Sequence, residues 1–280
     1  MDRLQEILAR LNMDTSSKPM TQKNWEQFKV DDWNKTPGNR NEEDGYDCKI
    51  CKNKGTIAKL LESNGTYSHC FADCQCVDTR NSIMRMKRSG LKDIIKDYTF
   101  DKFQDTEPWQ KSIKAAAMEY AKNPQGWFFL GGQPGAGKTH LCTAICREFL
   151  LTGKRVRYML WRDDIVKIKG AVTDSEEYSK QIDQFKTVEV LYIDDLFKTG
   201  KDKDNNIQKP TGADVNVAFE ILNYRYNNPN LLTILSSELT EDELLDIDEA
   251  IGSRIYERAK AFTIGKSRDR NYRIKKAVTI

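Results

Sequence analysis

The stretch GQPGAGKT, residues Gly132, Gln133, Pro134, Gly135, Ala136, Gly137, Lys138 and Thr139, packs three glycines, a lysine and a hydroxyl into eight positions. It meets the pattern G-x-x-x-x-G-K-[ST] at each specified place. Glycines let a backbone curl until successive N–H groups point at one spot, where an anion fits. The residues before it, GWFFL, read as a short buried strand. Those after it, KTHLCTAICREFLLTG, read as a helix with Leu141, Ile145 and Phe149 on one face. The helix N-terminus adds partial positive charge to the same spot. Phosphate is therefore the expected ligand. Lys138 would meet its terminal groups, Thr139 would place its hydroxyl on a magnesium ion, and His140 would lie beside them.

A second stretch, VLYIDDL, delivers Asp194 and Asp195 at the carboxyl end of a hydrophobic strand. Ligands of open parallel sheets sit at that end. Asp194 is expected to hold the magnesium through water. Asp195 is expected to orient and deprotonate a water attacking the terminal phosphate. No N-K-x-D sequence follows Asp195, which favours adenine over guanine and makes ATP the expected nucleotide. The segment YTFDKF, residues 98–103, precedes the first strand. Its Phe100 and Phe103 either line the adenine or belong to the core.

Five of the seven cysteines fall within residues 48–76. Zinc takes four tetrahedral ligands, commonly as two close pairs brought together by a turn. Cys48 and Cys51 form one pair. The second comes from Cys70, Cys74 and Cys76, with His69 as an outside candidate. Such a module is expected to be structural, too short to fold on a hydrophobic core alone. Cys142 and Cys146, at helical spacing, read as buried core thiols.

Stepping outward, these groups need a scaffold, and the pattern from about residue 100 supplies one. Strands GWFFL, RVRYML, VEVLYI, LLTILS and KAFTI alternate with helical segments at 138–153, 161–170, 175–186 and about 213–227. That alternation predicts a parallel sheet covered on both faces. Before it, residues 1–12 set Leu4, Ile7, Leu8 and Leu11 on one helical face, and a polar stretch with Trp25, Phe28 and Trp33 reads as partly helical and loosely packed. The basic segment TRNSIMRMKRSGL links the cysteines to the sheet. Its Arg80, Arg85, Lys87 and Arg88 either bind phosphate or lie on a solvated linker helix.

The chain has 280 residues, 39% hydrophobic and 31% charged, enough for two domains. No apolar run approaches the ~20 residues of a membrane span, and the N-terminus lacks the apolar core of a signal peptide. A cytoplasmic protein is expected. The net charge of +3 neither demands nor excludes nucleic acid.

In this order the pieces resemble the DnaC/DnaI-like helicase loaders of bacteria and phages, a branch of the AAA+ ATPases. The resemblance covers roughly residues 48–273. It rests on the C-x-x-C and C-x-C module, RSGL, YTFDKF, the phosphate loop, VLYIDDL, ILSSEL and GSRIYER. It implies a phage or Gram-positive origin and an α/β P-loop fold of AAA+ type without the helical lid. It also implies a small N-terminal zinc domain. The boundaries it implies are 1–78 for helicase binding, 79–97 for the linker and 98–280 for the ATPase. The C-x-C of the family selects Cys74 and Cys76 to join Cys48 and Cys51, with Cys70 as an alternate ligand. Ser237 or Glu238 falls at the sensor of the terminal phosphate. Arg254, in EAIGSRIYERAK, matches an arginine finger that reaches a neighbour's ATP, against a surface ion pair with Glu257 or Asp248. Arg273 resembles a second phosphate-sensing arginine, and Arg258 reads as structural. The implied partners are a hexameric DnaB-type replicative helicase, single-stranded DNA and further copies of the chain. The basic residues of 265–276 and of the 198–212 loop either contact DNA or are solvated charge. The implied activity is ATP hydrolysis as a release switch. A transposition-regulator ATPase would share the sheet without needing the cysteines. A non-hydrolysing adaptor would not need Lys138, Thr139, Asp194 and Asp195.

Overall fold

A computed structural model describes residues 20–88, 94–200 and 208–275. The expected amphipathic segment 1–12, residues 89–93 of the linker and residues 201–207 of the polar loop lie outside the described residues. The chain divides into two compact units, residues 1–41 with 47–74, and residues 42–46 with 75–280.

In the first unit, helix α1 (Gln22–Lys35) starts where the Thr21 hydroxyl accepts the Asn24 N–H. Strands β1 (Thr56–Ser63) and β2 (Thr66–Asp73) form an antiparallel hairpin, with Ser63 opposite Thr66. Its two-residue turn, Asn64 and Gly65, has φ of 51° and 76°. Positive φ at both positions matches the twist of the flanking strands, and Asn-Gly adopts it at low cost. Asn34 clamps the helix to the hairpin, donating to Ala58 O and accepting from Ala58 N, both at 3.0 Å. Trp33 packs on Phe71 at 4.6 Å between ring centroids. Apart from its cysteines, the buried apolar residues described in this unit are Val30 and Ala58.

In the second unit, five parallel strands run in the order β4-β5-β6-β3-β7. They are β3 (Trp127–Gly132), β4 (Val156–Leu160), β5 (Val190–Asp194), β6 (Leu232–Ser236) and β7 (Ala259–Ile264). The central β3, β5 and β6 are buried along their whole length, as strands covered on both faces must be. Alternation sorts their side chains. Trp127, Phe129, Met159, Leu191, Ile193 and Leu235 share one core with α5 (Trp161–Gly170), α6 (Ser175–Lys186), α7 (Gly212–Tyr226), α8 (Glu241–Ile247) and α9 (Glu249–Arg258). On the other face Phe128 packs on Tyr120 of α3 (Pro108–Lys122), whose ring also meets Phe149 of α4 (Lys138–Leu151). Cys142 and Cys146 are fully buried in α4, and burial pushes both thiols well above their ordinary range.

The basic linker is helical, and three of its cations, Arg80, Arg85 and Lys87, are paired within the chain; the Arg88 side chain lies outside the described residues. The linker folds as α2 (Cys76–Arg88), where Arg80 is 3% exposed and donates to both oxygens of Asp44. Arg85 donates to Asp164 at 2.5 Å, and Lys87 to the Glu43 carbonyl at 2.6 Å. A buried cation without a partner is costly, so burial of this helix face selected pairing.

Candidate nucleotide and metal sites

The phosphate loop joins β3 to α4. Gly135 and Gly137 hold φ of 73° and 87°, left-handed values that favour glycine. Added Cβ atoms would lie 2.2 Å from Asn271 Oδ1 and 2.7 Å from the Phe103 ring, so space also excludes side chains there. Gly132 ends β3, Ala136 is buried, and the Pro134 carbonyl accepts from Gln133 Nε2. The Gln133 side-chain oxygen accepts the Ser267 N–H, tying the loop to the segment after β7.

Lys138 is 6% exposed, with Nζ on the carbonyls of Gly132 (2.9 Å) and Gln133 (2.8 Å). Burial pulls its pKa down, and Asp195 and Glu238 oppose that. The ammonium thus has two weak neutral acceptors that a phosphate could replace.

Asp194 ends β5, 4% exposed, and both its oxygens accept hydroxyl hydrogen bonds. Oδ1 accepts from Thr139 (3.1 Å), Tyr192 (2.7 Å) and Ser236 (2.5 Å), and Oδ2 from Tyr158 (3.0 Å). Burial pushes its pKa up, the neighbouring Asp195 adds to this, and the hydroxyls oppose it. A buried carboxylate bonded to the hydroxyl that follows the loop lysine is the donor set that suits a hard, oxygen-seeking cation such as magnesium.

The backbone then turns sharply. Asp195 and Phe197 hold φ of 59° and 60°, unusual for residues with side chains. The Asp195 N–H donates to Ser236 Oγ, the Leu196 N–H to the Ser236 carbonyl, and Ser237 Oγ to the Leu196 carbonyl. The Phe197 ring packs on Trp161 at 5.4 Å. These contacts hold Asp195 at the mouth of the cleft, paired with Lys198 at 2.7 Å.

The cleft measures about 710 Å³. It is lined by Gly135, Gly137, Lys138, Thr139, His140, Asp194, Asp195, Glu238 and Arg273 among the residues the sequence singled out. Tyr98, Phe103 and Tyr272 add aromatic wall. His140 Nε2–H donates to the Thr99 carbonyl (2.9 Å) and the ring lies against Tyr98 and Phe103, and burial pulls its pKa down. Phe100 is buried outside the lining, so the two phenylalanines of YTFDKF divide between core and cleft.

Two residues fall elsewhere. Ser237 is fully buried with its hydroxyl spent on Leu196, because the strained turn needs that bond; Glu238 reaches the cleft instead. Arg254 does not line this cleft. Its guanidinium lies over Phe219 (5.1 Å) and Tyr226 (5.2 Å) and donates to the Ala250 carbonyl, with no ion pair to Glu257 or Asp248. Glu257 instead accepts from the Tyr226 hydroxyl, and Asp248 caps α9. Arg258 stacks on the same Tyr226 ring and donates to its carbonyl, a structural placement.

The motifs alone leave out several residues: Tyr192 and Ser236, buried around Asp194, and Tyr158 and Lys198, which line the cleft. Tyr192 lies two residues before Asp194, on the same face of β5, so strand periodicity alone points to it. Tyr158 needs the pairing of β4 with β5, which sets it opposite Tyr192. Ser236 and Lys198 depend on the turn.

The Sγ atoms of Cys48, Cys51, Cys74 and Cys76 all lie within 4.8 Å of one another, and all four residues are buried. Cys48 and Cys74 are 3.8 Å apart. Four thiolates at about 2.3 Å around a tetrahedral zinc stand ~3.8 Å from each other, so the set fits zinc. Lys52 and Asn53 take positive φ in the first knuckle, and Gly55 N–H donates to Cys51 Sγ. The Asn53 side chain accepts from Cys48 N–H. Cys70 pairs with Lys59 in the hairpin and stands outside the set, because it lies four residues before Cys74 on an extended strand, about 13 Å along the chain.

Among the described residues no helix is long and apolar enough to cross a membrane. The family described as IstB-like ATP binding protein matches residues 73–275. The phage-like element PBSX protein XkdC of Bacillus subtilis is 31% identical over 82% of this chain and 86% of its own. The replicative helicase loader DnaC of Escherichia coli is 28% identical over 43% of this chain and 52% of its own, so the match spans about half of that relative. A crystal structure of the DnaC helicase loader superimposes with a TM-score of 0.51 at 21% identity, over 61% of this chain and 98% of that one. The fold is thus the AAA+ type of P-loop sheet. With this match over most of its length, the chain belongs to the family of IstB-like ATP binding proteins, with an ATP-binding domain of the IstB/DnaC kind.

Proposed function

We propose that this chain is an ATP-driven loader of a hexameric, DnaB-type replicative helicase. One observation carries the reading: a complete phosphate-loop site and a four-thiol cluster occur together in one IstB/DnaC-like chain. A transposition-regulator ATPase has use for the first and not for the second. In this reading residues 1 to about 78 bind the helicase, and zinc, when bound by the four cysteines, supplies the fold of that region. The ATPase unit self-associates and grips single-stranded DNA in the cytoplasm.

Thr139 and Asp194 would hold magnesium, which when bound neutralises phosphate charge. Lys138 leaves the Gly132 and Gln133 carbonyls for the terminal phosphates. Asp195 orients a water on the γ-phosphorus and takes its proton as the new P–O bond forms and the bond to the ADP oxygen breaks. Arg254 supplies positive charge to a neighbour's transferring phosphoryl group. Its place away from its own cleft supports that role. Arg273, at the cleft, would contact the same phosphates. ATP binding favours the assembled state and hydrolysis releases the helicase, so turnover is slow.

The test is a pulldown of a replicative helicase hexamer by the full chain, with and without ATP, beside a Cys48→Ser/Cys51→Ser variant. A stoichiometric complex lost in the variant supports the loader. Absence of a complex under every nucleotide condition overturns it and turns attention to transposition partners. In the same preparations Arg254→Ala should abolish DNA-stimulated hydrolysis while leaving ATP affinity within about threefold, since the residue acts on a neighbour.

A further inference from the structure

The residue most difficult to explain as scaffold is Lys198. Its Nζ lies 2.7 Å from Asp195 Oδ2 and 2.9 Å from Glu238 Oε1, inside the cleft. Burial lowers its proton affinity, but the hydrogen bonds to the two carboxylates outweigh this and hold it charged. It is also near enough to Lys138 for the two ammoniums to repel.

The strain in the turn makes this placement costly to reach. Left-handed φ at Asp195 and at Phe197 is a sparsely populated conformation that the surrounding contacts must hold. That strain is held by Ser236, Ser237 and Trp161, none of which needs Lys198. The turn therefore aims the lysine; the lysine does not fasten the turn. Its Lys198 N–H to Asp195 carbonyl bond, 2.9 Å, closes the turn through the backbone alone.

Charge gives the reason for a lysine there. Glu238 faces a cleft built for phosphate, and a bare carboxylate there would repel the terminal phosphate of ATP. Lys198 neutralises it. While Lys198 holds Asp195 Oδ2, that oxygen is occupied and not free to face a water. A terminal phosphate arriving beside Lys138 offers Lys198 a stronger acceptor than either carboxylate, because its oxygens carry more charge.

We propose that Lys198 reads the terminal phosphate of ATP: it moves from Asp195 and Glu238 onto a γ-phosphate oxygen, which frees Asp195 only when the triphosphate is present. ADP lacks that oxygen and leaves the lysine on its carboxylates. This rests on the ATPase reading above, in which Asp195 activates water.

The experiment measures binding of magnesium ATPγS and magnesium ADP to the full chain by calorimetry, with thermal melts of every variant. The wild type should prefer ATPγS. Lys198→Met should weaken ATPγS about tenfold or more, the loss of roughly one charge-assisted bond, with ADP affinity changed less than about twofold. Lys198→Arg should keep most of the preference. Adding Glu238→Gln to Lys198→Met should recover part of it, because the uncompensated carboxylate is gone. Equal weakening of both nucleotides, or no change in either, overturns the phosphate-reading role while leaving the ATPase reading in place. A wild type that binds neither nucleotide overturns both.

Discussion

The two units hold themselves together by opposite means. The ATPase sheet buries three strands completely and packs aromatic and aliphatic side chains on both faces. The cysteine unit has a hairpin, one helix and little buried apolar surface apart from its thiols. Around it, Phe71, Ile50 and Leu61 are about half exposed. At ~25 cal/mol per Å², so small a core cannot offset the entropy of ordering its chain. The sheet can place a charged group deep inside because its packing over-determines the position. The smaller unit places three of the four thiols, Cys48, Cys51 and Cys74, whose bonds to a metal would replace the core.

Removing metal is the largest break in that comparison. A strong chelator, or Cys51→Ser, should withdraw stabilisation on the order of 10 kcal/mol from the cysteine unit. Amide hydrogen exchange across residues 56–73 should lose its protection, and ATP affinity should shift less than about threefold. A hairpin that stays protected without metal would mean that the small core suffices.

The next effect falls on the other unit. Arg225 is fully buried, and burial pulls its pKa down to about 9. It donates to Thr233 Oγ1 and to the carbonyls of Phe185, Lys186, Val188 and Leu232. Arg225→Met leaves those acceptors unsatisfied and should cost the ATPase unit about 3–5 kcal/mol. Denaturant melts should show the loss, with metal content unchanged.

Lys138→Ala comes third. It removes a buried ammonium from phosphate and should weaken ATP about 10- to 150-fold, the range of a charge-assisted bond at ~1.5–3 kcal/mol. The sheet should melt no earlier, since Lys138 bonds only loop carbonyls. An earlier melt would make the lysine part of the scaffold.

The smallest effect is at the start of α7. Burial would raise the pKa of Asp214, but bonds from Lys169 and Thr211 outweigh it and hold the carboxylate below its usual 3.8. A depressed carboxylate stabilises the fold above its unfolded pKa, and that contribution is lost as pH falls through the folded value. Asp214→Asn should therefore cost about 0.5–2 kcal/mol at pH 7, and its difference from wild type should vanish on acidification below 3.8. A difference that persists there would mean the amide disturbs packing rather than charge.

By itself the sequence determined whatever depends on local pattern. The phosphate loop needs its glycines, lysine and hydroxyl contiguous, and a buried strand announces itself by its apolar run, so Gly132–Thr139, Asp194 and all five sheet strands were legible. Spacing likewise drew attention to the cysteines. The Asn64-Gly65 turn is equally legible, as a two-residue hairpin signal. Tertiary structure decided what depends on groups far apart in the chain. Only pairing of β4 with β5 brings Tyr158 to Asp194, and only the extension of β2 carries Cys70 away from the four clustered thiols. Only the left-handed turn after β5 sends Ser237 inward and Lys198 and Glu238 to the cleft, because its strain must be held by hydrogen bonds from the neighbouring strand. Arg80, basic by composition, was turned from a surface charge into a buried one by a carboxylate 36 residues away.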